Sequence, residues 1–267
     1  MKDLPSEAAD AAPPVEPAST TRLVELQVLE LSAPLQWLRL GWRDFTRAPA
    51  IGLFYGASFV AMGWLLLWLF QSAPAYTLAL SAGFLLVGPF LCLGLYDVSR
   101  RLERGEALSF AGSVTAWRTR TGTLAIFGGV LLILEMLWGR ASLVIFAVSF
   151  DGMPDFKGSL LALLEPENIG FIVIYLMVGA LFAGLIFAVS VVAMPMILDR
   201  QTDAITAGLT SLRLCFEQPG VMLAWGATIT LLVVAALLPG FAGLLIVGPV
   251  VGHASWHAYR EAVPPSA

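Results

Sequence analysis

His253 and His257 stand four residues apart near the end of a 267-residue chain that holds only two histidines. On a helix that spacing puts both imidazoles on one face, where they could supply two ligands to a single metal ion. Two ligands do not close a metal site. The competing reading joins both histidines to Trp256, Tyr259 and Arg260 as an anchor at a membrane boundary, where amphipathic rings sit well. The sequence favours the anchor and assigns no cofactor.

Two further patterns could carry chemistry. Gly88-Pro89 and Gly248-Pro249 interrupt helices at matching places, and because proline has no N–H each frees a carbonyl four residues earlier, at Leu85 and Leu245. Freed carbonyls inside a membrane must meet protein, water or an ion. Broken helices in corresponding repeats point to a transporter's substrate site; the plainer reading is a pair of kinks that allow close packing, helped by Gly52-x-x-x-Gly56 and Gly248-x-x-x-Gly252. Glu135 and Arg140 form the third pattern. A charge at the bilayer centre costs about 2.5–3.5 kcal/mol on insertion scales, so these two should pair, face a polar cavity or snorkel outward.

The elements that position these residues are set by composition. With 58% hydrophobic and 13% charged residues and a mean hydropathy of +0.82, the chain needs the bilayer as solvent. Six apolar stretches reach spanning length, at roughly 50–70, 76–96, 122–148, 169–197, 220–238 and 241–258. Gln71 to Ala75 and Pro239-Gly240 predict tight hairpins, and the longer connections fall at 97–121, 151–168 and 199–219. Of the 15 Lys and Arg, all but Arg140 and Lys157 fall on one side if the N-terminus is cytoplasmic. That asymmetry places both termini in the cytoplasm, in a multi-pass protein of the inner membrane.

Three amphipathic segments precede hairpins of spans. In Pro34 to Arg47, Leu35, Leu38, Trp42 and Phe45 share one face and Arg39, Arg43 and Arg47 another. In Asp203 to Glu217 the stripe is Ile205, Leu209, Leu212 and Phe216, with Asp203, Thr206, Thr210, Arg213 and Glu217 on the wet side; Asp203 suits the N-cap. Phe110, Val114 and Trp117 give a weaker third case. The stretch Ala82 to Arg101 is echoed by Ala242 to Glu261, with Leu93 and Asp97 where the second copy has His253 and His257. The chain thus reads as an all-α membrane protein of three pseudo-repeated hairpins, each opened by a cytoplasmic interfacial helix. Residues 1–33 read as a mostly disordered acidic and Pro-rich tail, 34–260 as one six-span domain and 261–267 as a second tail. Cys92 and Cys215 do not support a disulfide framework.

Three segments carry a resemblance: Trp37-Leu38…Gly41-Trp42-Arg43-Asp44-Phe45, Pro195…Asp199-Arg200…Asp203-Ala204, and Gly248-Pro249…Gly252-His253-Ala254-Ser255-Trp256-His257-Ala258-Tyr259-Arg260. Together they resemble a bacterial integral-membrane family, number 2189 in the domain-of-unknown-function series, from about Val24 to Val263. Some members carry the label of a cytochrome c oxidase subunit. Two histidines cannot ligate the haems and copper of an oxygen-reducing centre, so the label implies at most an accessory place beside a respiratory complex.

No Walker loop, dinucleotide turn, zincin helix or Ser-His-Asp set can be assembled, and the arginines spread along a membrane boundary give no nucleic-acid footprint. The expectation is therefore a non-enzyme. Its first reading is a component or assembly partner of a membrane complex, in contact with the lipid bilayer and other membrane proteins. The alternatives are a small-molecule or ion transporter using the kinked second and sixth spans and, more weakly, a metal- or haem-binding membrane protein.

Overall fold

Prolines and glycines punctuate the chain where the pattern of apolar residues changes. The computed structural model describes residues 24–72, 74–149, 166–200 and 202–264, and among these every regular element is helical. Helix α1 (Ala33–Arg47) stops at Ala48, and Pro49 opens α2 (Pro49–Ser72); a proline is tolerated there because the first N–H groups of a helix lack partners anyway. Helix α3 (Pro74–Arg104) runs through Pro89 and ends at Gly105, whose φ of +66° only glycine adopts easily.

Helix α4 (Phe110–Val114), capped by Ser109, and a 3-10 turn at Ala116–Arg120 lead into α5 (Thr121–Ser149). The fourth apolar stretch is two helices, α6 (Ile169–Ser190) and α7 (Ala193–Asp199). Pro195 explains the break, since it leaves the carbonyl of Val191 without its helical donor.

Helix α8 (Ala204–Glu217) begins at Asp203, whose Oδ1 accepts from the N–H groups of Ile205 and Thr206, each at 2.9 Å. The bonds from Thr206 and Ile205 hold this carboxyl below its ordinary value. Asp203→Ala is expected to cost about 1 kcal/mol, read as a lower melting temperature of the purified protein. Pro219 then opens α9 (Pro219–Leu237), and a turn with Gly240 and Phe241 at φ of +62° and +68° leads into α10 (Leu244–Ala262), which runs through Pro249. Phe241 is held in this unusual conformation against Trp64, ring centroids 6.0 Å apart.

Helix α10 is the hub of one end of the bundle, packed against α1, α2 and α3. Small residues make the approach possible. A Cβ on Gly41 of α1 would lie 2.6 Å from the Val250 carbonyl oxygen and 2.7 Å from the Ala254 nitrogen, while Gly248 faces Phe59 and Gly252 faces Leu95. Helices α3 and α10 run parallel, α2 and α10 antiparallel. Elsewhere α5 and α6 pair through Trp138, whose ring meets Tyr175 at 5.2 Å and Phe182 at 5.8 Å.

Four helical stretches among the described residues are long and apolar enough to cross a membrane: Pro49–Leu69, Ala116–Ser149, Ile169–Asp199 and Pro219–Leu237. Helix α10 falls outside that set because its second half carries His253, His257, Arg260 and Glu261. The acidic head at 1–23 and most of the 151–168 connection, with Lys157, lie outside the described residues.

Residues 24–32, assigned to the tail from sequence, instead pack on the body. Leu29 is buried, its N–H reaches Gln218 Oε1 at 2.7 Å, and Gln27 N–H reaches the Ala262 carbonyl at 3.0 Å. The amphipathic helices pack on the protein with a face other than their apolar stripes. On α1 the buried set is Ala33, Pro34, Trp37, Gly41, Asp44 and Phe45, and of the apolar stripe only Phe45 belongs to it. Leu35 is 70% exposed and Trp42 50%. On α8 Thr210 and Leu214 are buried, whereas Ile205, Leu209 and Phe216 point out.

A buried polar cluster as candidate functional site

The second halves of α3 and α10 put polar residues where helices normally place apolar ones, and α1 and α7 complete the set. At the inner level, Asp44 of α1 is 1% exposed and His253 of α10 is fully buried. The Asp44 Oδ2 accepts from His257 Nε2 at 2.7 Å, and Ser99 Oγ of α3 lies 2.8 Å from His253 Nδ1. His253 Nε2 has no hydrogen-bond partner among the described residues. Burial pushes the Asp44 carboxyl up, but the hydrogen bond and coulombic pull of His257, aided by Ser99 and His253, outweigh it and leave the group below its ordinary value.

An outer level closes over this pair. Asp97, 2% exposed at its side chain, accepts from Arg101 Nε at 2.7 Å and also from Arg100. Asp199 at the end of α7 takes the Tyr259 hydroxyl at 2.9 Å, Arg104 at 3.0 Å and Arg260 at 3.4 Å. Glu103 takes Trp256 Nε1 at 3.1 Å and Arg260 at 2.9 Å. Arg200 donates to Tyr259 Oη at 3.0 Å and to the Val263 carbonyl at 2.9 Å. Burial and the neighbouring Asp199 raise the Tyr259 phenol well above its usual value. Charged partners held this close, with most donors and acceptors satisfied, fix the relative position of four helices.

The structure therefore separates the two histidines chemically, although they share a helix face. His257 is engaged by a carboxylate and His253 by a hydroxyl, and no group of three His, Cys, Asp or Glu suited to a metal ion occurs among the described residues. Pro249 leaves the Leu245 carbonyl free of its helical donor, and that carbonyl lies against Gly56 of α2. The environment of Leu85, opposite Pro89 in the first copy, falls among side chains outside the described set. Glu135 is 7% exposed on the inward face of α5 with Leu124, Phe127 and Leu131, while Arg140 is exposed. The two form no ion pair.

Sequence reasoning missed Asp44, Ser99, Asp97, Glu103 and Asp199 as members of one cluster. One signal was available. Asp44 is a carboxylate at helical spacing from Trp37 and Gly41, so whatever element covers that face must satisfy it.

Residues 76–199 match a family model described as predicted integral membrane protein (DUF2189). This part of the chain is similar to that family. No curated protein and no solved structure matches the chain. The DUF2189 segment runs from α3 to α7 and so supplies Asp97, Ser99, Glu103 and Asp199 to the cluster. Asp44, His253, His257, Tyr259 and Arg260 come from outside it. Of the three segments on which the resemblance rests, only Pro195 to Asp199 falls within the DUF2189 match. The chain is an integral membrane protein by this match and by its four long apolar helices.

Proposed function

We propose that the chain is a six-span, non-catalytic component of a bacterial inner-membrane complex, with both described chain ends cytoplasmic, and that α6 receives a transmembrane helix of a neighbouring protein. The observation that carries this reading is the sparse cover of α6. Only 6% of the apolar window in Ile169–Asp199 is buried by the rest of the chain, at a mean hydropathy of 2.7. A groove of about 640 Å³ beside α6 is lined by Ala180, Gly184, Gly226 and Ala227 together with larger apolar side chains such as Phe187 and Met222. Helix backbones in lipid approach closely where side chains are small.

In this reading α3 and α10 are the second and sixth spans, and the polar cluster holds their cytoplasmic ends together. The helix order supports three modules, α1 to α3, α4 to α7 and α8 to α10, each opened by a surface helix. Those surface helices turn Leu35 and Trp42, Phe110 and Trp117, and Ile205 and Phe216 away from the protein, as a helix resting in the headgroup region would.

A photo-reactive side chain at Gly184 or Ala227, irradiated in native membranes, should give a discrete protein adduct that the same group at exposed Leu231 does not. Adducts to lipid alone at all three positions would overturn the docking role.

A further inference from the structure

Most arginines at the polar end of the bundle are spoken for. Arg100, Arg101, Arg104 and Arg260 bind Asp97, Asp199 and Glu103, Arg213 binds Glu217 at 2.6 Å, and Arg200 binds Tyr259 and a backbone carbonyl. Arg120 binds the Thr202 carbonyl and the exposed Arg118 lies over the Trp117 ring, whereas the arginines of α1 form a row. Arg39, Arg43 and Arg47 are all exposed; among the described residues the one carboxylate contact they make is Arg43 to Asp44 at 3.9 Å, and that carboxylate is already bonded to His257.

Their placement around the helix is ordered. At 100° per residue the face buried on α10 (Trp37, Gly41, Asp44) is followed by Leu38, Trp42 and Leu35, and then by Arg39, Arg43 and Arg47, one guanidinium about every 6 Å along the axis. Apolar side chains next to a row of exposed cations, ending two residues before Pro49 opens a membrane-spanning helix, match the layering of acyl chain and phosphate at a bilayer surface.

We propose that Arg39, Arg43 and Arg47 form a binding row for the headgroups of anionic phospholipids, with Leu35 and Trp42 inserted beside them. This rests on α1 lying at the membrane surface. The ligand chemistry is a phosphodiester carrying net negative charge, which a guanidinium matches with two parallel N–H donors. A zwitterionic headgroup cancels most of that attraction. The row therefore enriches phosphatidylglycerol-like lipids around the first span.

The test uses the full chain with Cys92→Ser, Cys215→Ser and Leu35→Cys, labelled at position 35 and reconstituted in mixed phosphatidylcholine and phosphatidylglycerol vesicles. Energy transfer to a headgroup-labelled anionic lipid should exceed transfer to the labelled zwitterionic lipid by about fivefold at low salt, the scale set by one basic residue near a charged surface. Added salt should shrink the excess. The triple change Arg39→Gln, Arg43→Gln, Arg47→Gln should abolish it, and the corresponding triple lysine variant should restore most of it.

Equal transfer to both lipids, or an excess that survives the glutamine changes, overturns the proposal. Equal transfer together with arginine-dependent binding of a poly-glutamate peptide would assign the row to an acidic protein segment instead. A nitroxide at the same cysteine, read by collision with oxygen and with a water-soluble nickel chelate, gives depth separately. A label in bulk water would refute the surface placement of α1, whereas headgroup depth without lipid preference would refute the anionic row alone.

Discussion

Gly41→Ala and Gly56→Ala are each expected to lower the melting temperature of the purified protein by about 10 °C, the equivalent of roughly 3 kcal/mol for a chain of this size. The reason is that the added carbon meets atoms that cannot move aside. At Gly41 the nearest atoms would be the Val250 oxygen at 2.6 Å, the Ala254 nitrogen at 2.7 Å and the Ala254 Cβ at 2.9 Å; at Gly56 they include the Leu245 carbonyl carbon at 2.7 Å and its Cα at 2.8 Å. These are backbone atoms or a Cβ of α10, so relief requires one helix to withdraw from another. Gly184 provides the control, because nothing lies within 4 Å of the added carbon and alanine is the better helix former. Melts followed by size-exclusion fluorescence should leave Gly184→Ala at or above the parent. Indistinguishable melts for all three variants would contradict the close packing of α1 and α2 on α10.

Removing the inner carboxylate is the second large perturbation. Asp44→Ala leaves His257 without its 2.7 Å partner in a site where Asp44 is 1% exposed, and truncating one member of a buried pair costs about 3–5 kcal/mol. Loss of folded material or a fall in melting temperature larger than that of Asp203→Ala is the expected result. A pH dependence follows with a definite sign. The Asp44 carboxyl lies below its ordinary value of 3.8 in the folded protein, so its contribution is complete above pH 3.8 and is lost as pH falls through the lower folded value. The melting temperature of the parent should therefore drop below about pH 4. Asp44→Asn should show a shallower acid-side slope in that window, and an identical slope would assign the acid sensitivity to other carboxylates.

Much of the helical layout was legible in the sequence because its signals are local. Pro49, Asp203 and Pro219 mark helix starts where the sequence places them, whereas the stretch 169–197, read as one span, is broken ahead of Pro195 into α6 and α7. Which face of α1 and α8 packs on the protein was not legible, for a physical reason. Apolar periodicity identifies a side that avoids water, but a membrane protein offers two such environments, its own interior and the lipid. Trp37 and Gly41 face α10 while Leu35 and Trp42 face outward, and both pairs read alike in sequence. The cluster was hidden for another reason. Asp44 and His257 are 213 residues apart, and Asp199 meets Arg104 and Tyr259 across separations of 95 and 60, so no spacing rule connects them. His253 and His257 drew attention as a pair because they are close in the chain, whereas each one's chemistry is set by a different helix.

The hub position of α10 has a consequence for how the protein is made. This helix leaves the ribosome after α1 to α9, yet it fills the space between α1, α2 and α3. Until it arrives, Asp44 has no imidazole and Glu103 no Trp256 or Arg260. The polar contacts that tie α1 and α3 to α10 can therefore form only after that helix has entered the membrane beside them.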